Sequence, residues 1–188
     1  MDAMTGWAVG SCGTTVKTTD GGANWVGQTS GTTEQLWGVH FADAQVGLAV
    51  GKLTTMLKTA NGGAAWTAPT LPSAYFYDVH FADATTAWAV GSGGAVLRHD
   101  GSGWSTVDLP EGVTQAASLL TFHGDSAVGQ EQGGGVILTV DADRLQAPPL
   151  PEGAPALNGV RIGQANLGDG VAVGGFGAVL LRTGGAWT

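Results

Sequence analysis

Four histidines and a recurring aspartate stand at spacings that invite a chemical reading. His40 and His80 lie in matching segments, WGVHFADA at 37–44 and YDVHFADA at 77–84. Two imidazoles brought together by a repeat could hold a metal or another ligand. Everything around them repeats as well, so they read first as strand histidines carried by the repeat. His99 stands beside Asp100 in a turn and His123 falls in a loop; neither has a nucleophile placed to complete a triad. Asp43, Asp83 and Asp125 follow the same alternating segment. Carboxylates about 5 to 9.5 Å apart could do glycosidase work, but recurrence in turns points to Asx-type turn formation. Gly133, Gly134 and Gly135 lack the Lys-Ser/Thr and the helix of a phosphate loop and read as a hairpin turn. Cys12, the single cysteine, excludes an intrachain disulfide and a Cys-based zinc site within one chain, and reads as a small buried residue. No catalytic residue, cofactor site or metal site emerges.

The elements that carry these residues recur in fixed order. The alternating segment comes first, with weaker copies SLLTFHGD at 118–125 and NGVRIGQA at 158–165. A small-residue strand ending in Gly follows, as WAVG at 7, LAVG at 48, WAVG at 88, SAVG at 126 and VAVG at 171. Then come a strand, a Gly-rich turn and usually a Trp: VKTTDGGANW, MLKTANGGAAW, VLRHDGSGW, ILTVDADRL and LLRTGGAW. Short runs of Val, Phe, Trp and Leu bounded by Gly and Asp are strands rather than helices. Each repeat of about 40 residues thus supplies strands A to D of one antiparallel sheet. One such sheet cannot bury both faces; radial stacking does, and that is a β-propeller. A sandwich does not predict a repeat of this length, and a solenoid usually has shorter coils. The expectation is an all-β single domain over 1–188, with repeats at about 6–35, 36–74, 75–115, 116–155 and 156–188 and no helix beyond one or two turns.

Composition agrees. The 33 glycines fall between apolar segments, where turns belong. Low charge with 43% hydrophobic residues argues against disorder. Net charge is -8, and the seven cations (Lys17, Lys52, Lys58, Arg98, Arg144, Arg161, Arg182) are scattered rather than clustered. Nucleic acid and an anionic membrane surface are therefore poor partners. No run reaches the ~18 apolar residues of a membrane helix, and MDAMTGWAVG lacks the regions of a signal peptide.

The third landmark is the most specific. Thr18-x-Asp20-x-Gly22-x-x-Trp25 and Thr59-x-Asn61-x-Gly63-x-x-Trp66 share a pattern that Asp100 to Trp104 matches one residue short. The carboxylate or amide accepts turn N–H groups, Gly supplies the positive φ and the Trp folds back into the sheet, where Trp25, Trp66 and Trp104 are expected to be largely buried. This pattern resembles the Asp box of the bacterial neuraminidase repeat superfamily. With Phe41-Ala42-Asp43, Phe81-Ala82-Asp83, Trp88-Ala89-Val90-Gly91 and Thr19 to Trp25, the chain is most similar to photosystem II assembly- and stability-factor-like propellers. The match is good over residues 6–115 and loose beyond; repeats of this kind occur in many bacterial proteins. Those assembly factors are usually seven-bladed with a basic surface patch, whereas about five repeats fit here and the chain is acidic. The resemblance implies a propeller, a protein-binding role and an extracytoplasmic location. Asp-box enzymes such as sialidases need a cluster of three arginines on a carboxylate; Arg98, Arg161 and Arg182 lie in strands of different repeats, and the chain is short for a six-bladed catalytic domain.

Two functions stay open: a non-catalytic scaffold that binds a protein through the top and channel face, and a lectin-like carbohydrate binder with exposed aromatics in loops between sheets. Tyr75, Phe76 and Tyr77 are the candidate ligand patch, with one ring expected to pack in strand A. The first repeat starts in strand B at Trp7 and has no strand A. Its sheet should hold three strands, and its open edge predicts self-association or a place in a larger propeller.

Overall fold

The computed structural model describes residues 3–71, 74–110, 120–123, 126–131, 134–141, 144–146, 150–151, 157–162, 170–174, 179–183 and 186–188. Among these, every regular element is a strand except two single 3₁₀ turns at Ser11–Gly13 and Ser92–Gly94. The strands form five antiparallel sheets, each a meander in chain order. The first holds β1 (Gly6–Val9), β2 (Thr15–Thr18) and β3 (Val26–Gln28). The second holds β4 (Leu36–Phe41), β5 (Gly47–Gly51) and β6 (Met56–Thr59). The third holds β7 (Phe76–Phe81), β8 (Thr86–Gly91), β9 (Val96–Asp100) and β10 (Trp104–Thr106). The fourth holds β11 (Leu120–His123), β12 (Ser126–Glu131), β13 (Gly134–Asp141) and β14 (Arg144–Gln146). The fifth holds β15 (Leu157–Ile162), β16 (Gly170–Gly174), β17 (Val179–Thr183) and β18 (Ala186–Trp187).

The AVG segments are the strands β1, β5, β8, β12 and β16. In the first sheet no described strand pairs with the outer edge of β1, so that sheet has three strands. In the second, the fourth strand shrinks to one bridge, with Lys58 and Thr67 exchanging N–H···O bonds of 2.8 and 2.9 Å. Pro69 follows at once and has no N–H to extend a ladder. His123 ends strand β11 instead of lying in a loop. Gly134 and Gly135 open β13 and pair with Glu131 and Gln130, which makes β12–β13 a hairpin whose two linking residues lie outside the described set, as does Asp125.

The chain divides into two compact units, Met1–Ala89 with Leu97–Thr106, and Val90–Val96 with Val107–Thr188. In the first unit β4 lies against both β1 and β7. All five residues of β5 are buried. Alternate side chains serve opposite faces: Leu48 and Val50 join Met56, Phe76, Val79, Phe81 and Leu97, while Ala49 joins Leu36 and Leu57. A sheet buried on both sides must be apolar in every position, which is why GLAVG carries no polar side chain. Each large side chain so buried contributes roughly 1.5–3 kcal/mol. In the second unit β12 lies against β15.

The B–C hairpins of the first three sheets share one turn. Thr14, Thr55 and Ala95 donate N–H to the carbonyls of Ser11, Lys52 and Ser92 at 3.1, 3.1 and 3.2 Å. Their central pairs, Cys12-Gly13, Leu53-Thr54 and Gly93-Gly94, all have positive φ. This is the type I′ turn, whose twist matches that of the strands it joins. Cys12 is exposed at the tip of the first such turn rather than buried, because a turn centre faces solvent.

Candidate functional site

Each sheet's strand ends alternate between two sides. The B–C turns and the D–A links share one side; the A–B turns and the Asp- or Asn-bearing C–D turns share the other. The C–D turns are built from side-chain hydrogen bonds. In the first, Thr18 Oγ1 donates to Asp20 Oδ1 at 2.7 Å and accepts the Gly22 N–H at 3.0 Å. Asn24 donates its N–H to Asp20 Oδ1 at 2.9 Å and its Nδ2–H to Oδ2 at 2.8 Å. In the second, Thr59 donates to Asn61 Oδ1 at 3.0 Å, Gly63 N–H donates to Thr59 Oγ1 at 2.9 Å and Ala65 N–H to Asn61 Oδ1 at 2.8 Å. Gly22 and Gly63 sit at φ of 92° and 88°, where a side chain would be strained. The third turn is one residue shorter. Asp100 Oδ1 accepts from the Ser102 hydroxyl at 2.6 Å, the Ser102 N–H at 2.9 Å and the Gly103 N–H at 3.2 Å.

The A–B turns use the same chemistry. Asp43 Oδ1 accepts the N–H groups of Gln45 and Val46, both at 2.7 Å. Asp83 Oδ1 accepts those of Thr85 and Thr86 at 2.7 Å, with the Thr85 hydroxyl at 2.9 Å. These donors hold the carboxyls below their ordinary range. The Asn24 N–H, then its side-chain amide, brings Asp20 to about 2. The Val46 N–H lowers Asp43, the Thr85 N–H lowers Asp83 and the Ser102 hydroxyl lowers Asp100. A glycosidase general acid needs a raised pKa; these four exposed carboxylates are anions tied to their own turns.

The turn tryptophans do not share one environment. Trp66 is half-buried and meets Phe41 edge-on, with ring centroids 5.9 Å apart. Trp104 is half-buried against the larger core cluster and edge-on to His99 at 5.2 Å. Trp25, expected to be buried, is 46% exposed. Phe41 and Phe81 come from the strand A of their sheets; the first sheet has no described strand A, so Trp25 has no such ring to lie against.

The strand-A residues form two rows. The rings of His40 and His80 lie with centroids 4.4 Å apart and planes tilted by 43°. His40 Nδ1 accepts the Phe81 N–H at 3.0 Å, which leaves the proton of the neutral ring on Nε2. Burial, then the nearby His80, lowers His40 to about 4, and burial lowers His80. Among the described residues no three His, Cys, Asp or Glu side chains stand together to hold a metal ion.

The second row lies three residues back, at the end of the strands that the B–C turns share. Trp37 stands 5.5 Å from Tyr77 and 6.4 Å from Tyr75, centroid to centroid. Trp37 is 37% and Tyr75 43% exposed, with Tyr77 half-buried. Phe76 leaves the candidate patch: it is fully buried, the one ring of its tripeptide that packs inward. Trp37 takes its place. Its sequence signal is its register with Tyr77 in the repeat; its exposure follows from a register shift between Leu36 and Gly38, which interrupts the inward–outward alternation of β4. Leu53, at the tip of the neighbouring B–C turn, is a further exposed apolar side chain at this end.

Repeated antiparallel meanders, two of whose neighbouring sheets bury both faces of the one between them, define a β-propeller-like chain. Solved structures of that fold are similar to it. The structure titled "YCF48 bound to D1 peptide" matches with a TM-score of 0.65 at 19% identity, over 100% of this chain and 78% of that one. YCF48 from Cyanidioschyzon merolae matches with a TM-score of 0.72 at 17% identity, over 96% and 63%. A GH74 enzyme of Niastella koreensis matches with a TM-score of 0.69 at 12% identity, over 99% and 36%. At these identities the likeness is one of fold. No protein-family model and no curated protein matches the sequence. Among the described residues no helix is long and apolar enough to cross a membrane.

Proposed function

We propose that this chain is a non-catalytic propeller scaffold that binds a protein partner through Trp37, Tyr75 and Tyr77. The observation that carries the reading is the clustering of these rings at one end of two neighbouring strands, with Trp37 and Tyr75 exposed. Exposed aromatic clusters supply large contact area at low entropic cost and are enriched at interfaces. That a similar fold holds a peptide, by its printed title, supports a peptide-like partner. The four turn carboxylates Asp20, Asp43, Asp83 and Asp100, each held as an anion by its own turn, support a non-catalytic role. The proposal includes five blades, with the C–D turns as Asp boxes of the neuraminidase-repeat type. The β1 edge would be completed by further propeller sequence or by a second copy of the chain. An extracytoplasmic location is part of it and rests on the repeat resemblance alone.

Carbohydrate binding is the second reading. It is favoured by the partial exposure of the aromatic residues Trp37 and Tyr75, a side-chain type that can stack on a sugar, and by the likeness to a GH74 enzyme fold. A pull-down and a glycan array on the same sample decide between them, each repeated with a Trp37→Ala/Tyr75→Ala variant. Loss of a captured protein in a variant that keeps the parental unfolding midpoint supports the scaffold. A glycan signal lost in that variant supports the lectin. Undiminished capture by the variant removes the patch from either function.

A further inference from the structure

Where the first two sheets meet, an indole fills the slot between them. Trp7 of β1 lies flat on Phe41, with centroids 3.6 Å apart and planes 11° from parallel. Its Nε1–H donates to the Gly62 carbonyl at 3.0 Å. Lys17, its partner across the β1–β2 ladder, stands with Nζ 5.0 Å from the ring centroid. The slot therefore offers a flat aromatic wall, a backbone acceptor and a cation, and an indole satisfies all three.

The repeat supplies the same parts one sheet further on. Phe81 corresponds to Phe41 and Lys58 to Lys17; Gly101 follows Asp100 as Gly62 follows Asn61, in a turn one residue shorter, at φ of 93° against 68°. The residue in Trp7's place is Leu48, paired with Lys58 across the β5–β6 ladder as Trp7 is with Lys17. Leu cannot fill the space of an indole, and a cavity of about 260 Å³ remains. Leu48, Phe81, Lys58 and Gly101 line it, with Val46 and His99. An apolar cavity of about 150 Å³ already accepts benzene, so there is room for a bicyclic ring. The next repeat restores the Trp: Trp88 is 1% exposed, and the Arg98 guanidinium stands 5.9 Å from its ring. Lys58 is the cation of this position whose own strand partner brings no ring. Gly62 O also accepts from Gln28 Nε2 at 3.0 Å; Pro69 stands in Gln28's place and donates nothing.

We propose that this slot is a binding site for an indole, a flat bicyclic aromatic ring with one N–H donor. The ring stacks on Phe81, directs its N–H to the Gly101 carbonyl and lies under the Lys58 ammonium. The chain itself supplies the template, since Trp7 occupies the equivalent slot. The site is separate from Trp37, Tyr75 and Tyr77 and does not depend on what they bind.

Calorimetric titration with indole, 1-methylindole and N-acetyl-tryptophanamide tests the assignment. Indole is expected to bind saturably, and 1-methylindole about tenfold or more weakly, because it lacks the N–H. Tighter binding of N-acetyl-tryptophanamide than of indole assigns the slot to a tryptophan of a partner; binding of indole alone assigns it to a free small molecule. Leu48→Trp should fill the slot and abolish binding. Equal affinity for indole and 1-methylindole, a comparison that needs no variant, overturns the proposal. So does absence of saturable binding at millimolar indole, or a folded Leu48→Trp protein that binds as the parent does.

Discussion

His40 Nδ1 accepts the Phe81 N–H at 3.0 Å and so joins the edge strands of two adjacent sheets. An edge strand carries N–H groups that no ladder partner meets, and the imidazole answers one of them. This bond requires the neutral ring. A second imidazole, His80, lies 4.4 Å away and makes a cation at His40 still less favourable. His40 therefore ties two adjacent sheets together, a role that needs no metal to explain it.

Acid should weaken that joint. His40 takes a proton in the folded protein only near pH 4, against 6.5 in the unfolded chain. Between those values the unfolded chain binds more protons, so stability is complete above about pH 6.5 and falls as pH drops toward 4. His80, also lowered by burial, acts in the same direction. Urea midpoints at pH 7 and pH 5 should differ in the parent and differ less in His40→Gln. At pH 7, His40→Leu should cost about 1–3 kcal/mol by leaving the Phe81 N–H without its acceptor. Equal pH dependence in parent and His40→Gln would show that this ring is not the titrating group.

Asp20 and Asn61 make the same turn with and without a charge. Asp20→Asn keeps the Oδ1 acceptor for Thr18 and Asn24 and loses only the Oδ2 that the Asn24 amide uses. Its urea midpoint at pH 7 should lie between those of the parent and Asp20→Ala. The charged turn stabilises fully above about pH 3.8 and loses that stabilisation as pH falls through about 2. Asp20→Asn should lack this acid dependence. A midpoint for Asp20→Ala equal to the parent's would mean the turn forms without its side chain.

Burial, rather than repeat position, should rank the tryptophans. Trp88→Ala removes a ring that is 1% exposed and should cost about 3–5 kcal/mol. Trp25→Ala removes one that is 46% exposed and should cost about 1 kcal/mol or less. Comparable losses for the two would mean that Trp25 is covered by something the described residues do not include.

The strands were legible because their period is: every AVG segment is a strand, and the apolar run of β5 records burial on both faces. Turn chemistry was legible as well, since Asp, Asn and Gly act within a few residues of themselves. What sequence reading missed depends on a neighbour across the sheets. Trp25 reads like Trp66 until the first sheet, with no strand A among the described residues, leaves it no ring to meet. Trp37 reads as one more strand residue until the shift at Leu36 and Gly38 turns it outward. The difference between WAVG and LAVG is visible in the sequence, but only the stacked Trp7 shows what the missing ring leaves behind.

The B–C turn of the second sheet carries removable strain. Leu53 and Thr54 sit at φ of 54° and 64°, positions held by Cys12-Gly13 and Gly93-Gly94 in the flanking sheets. The left-handed region costs an L-residue roughly 1–2 kcal/mol and is least tolerated by a β-branched one. Thr54→Gly relieves that strain but adds freedom to the unfolded chain, which offsets part of the gain. The net expectation is a stabilisation of about 0.5–1 kcal/mol, read as a higher urea midpoint at unchanged slope. Leu53→Asn, which gives the turn its favoured first residue and removes an exposed apolar side chain, should add a similar amount. At the position that Leu53 holds, Gly93→Thr places a β-branched residue at φ of 64° in the third sheet's exposed turn tip and should lose about 1–2 kcal/mol. If Thr54→Gly instead lowers the midpoint, the Thr54 side chain stabilises the turn by more than its backbone strain costs, and the three hairpins are not energetically equivalent.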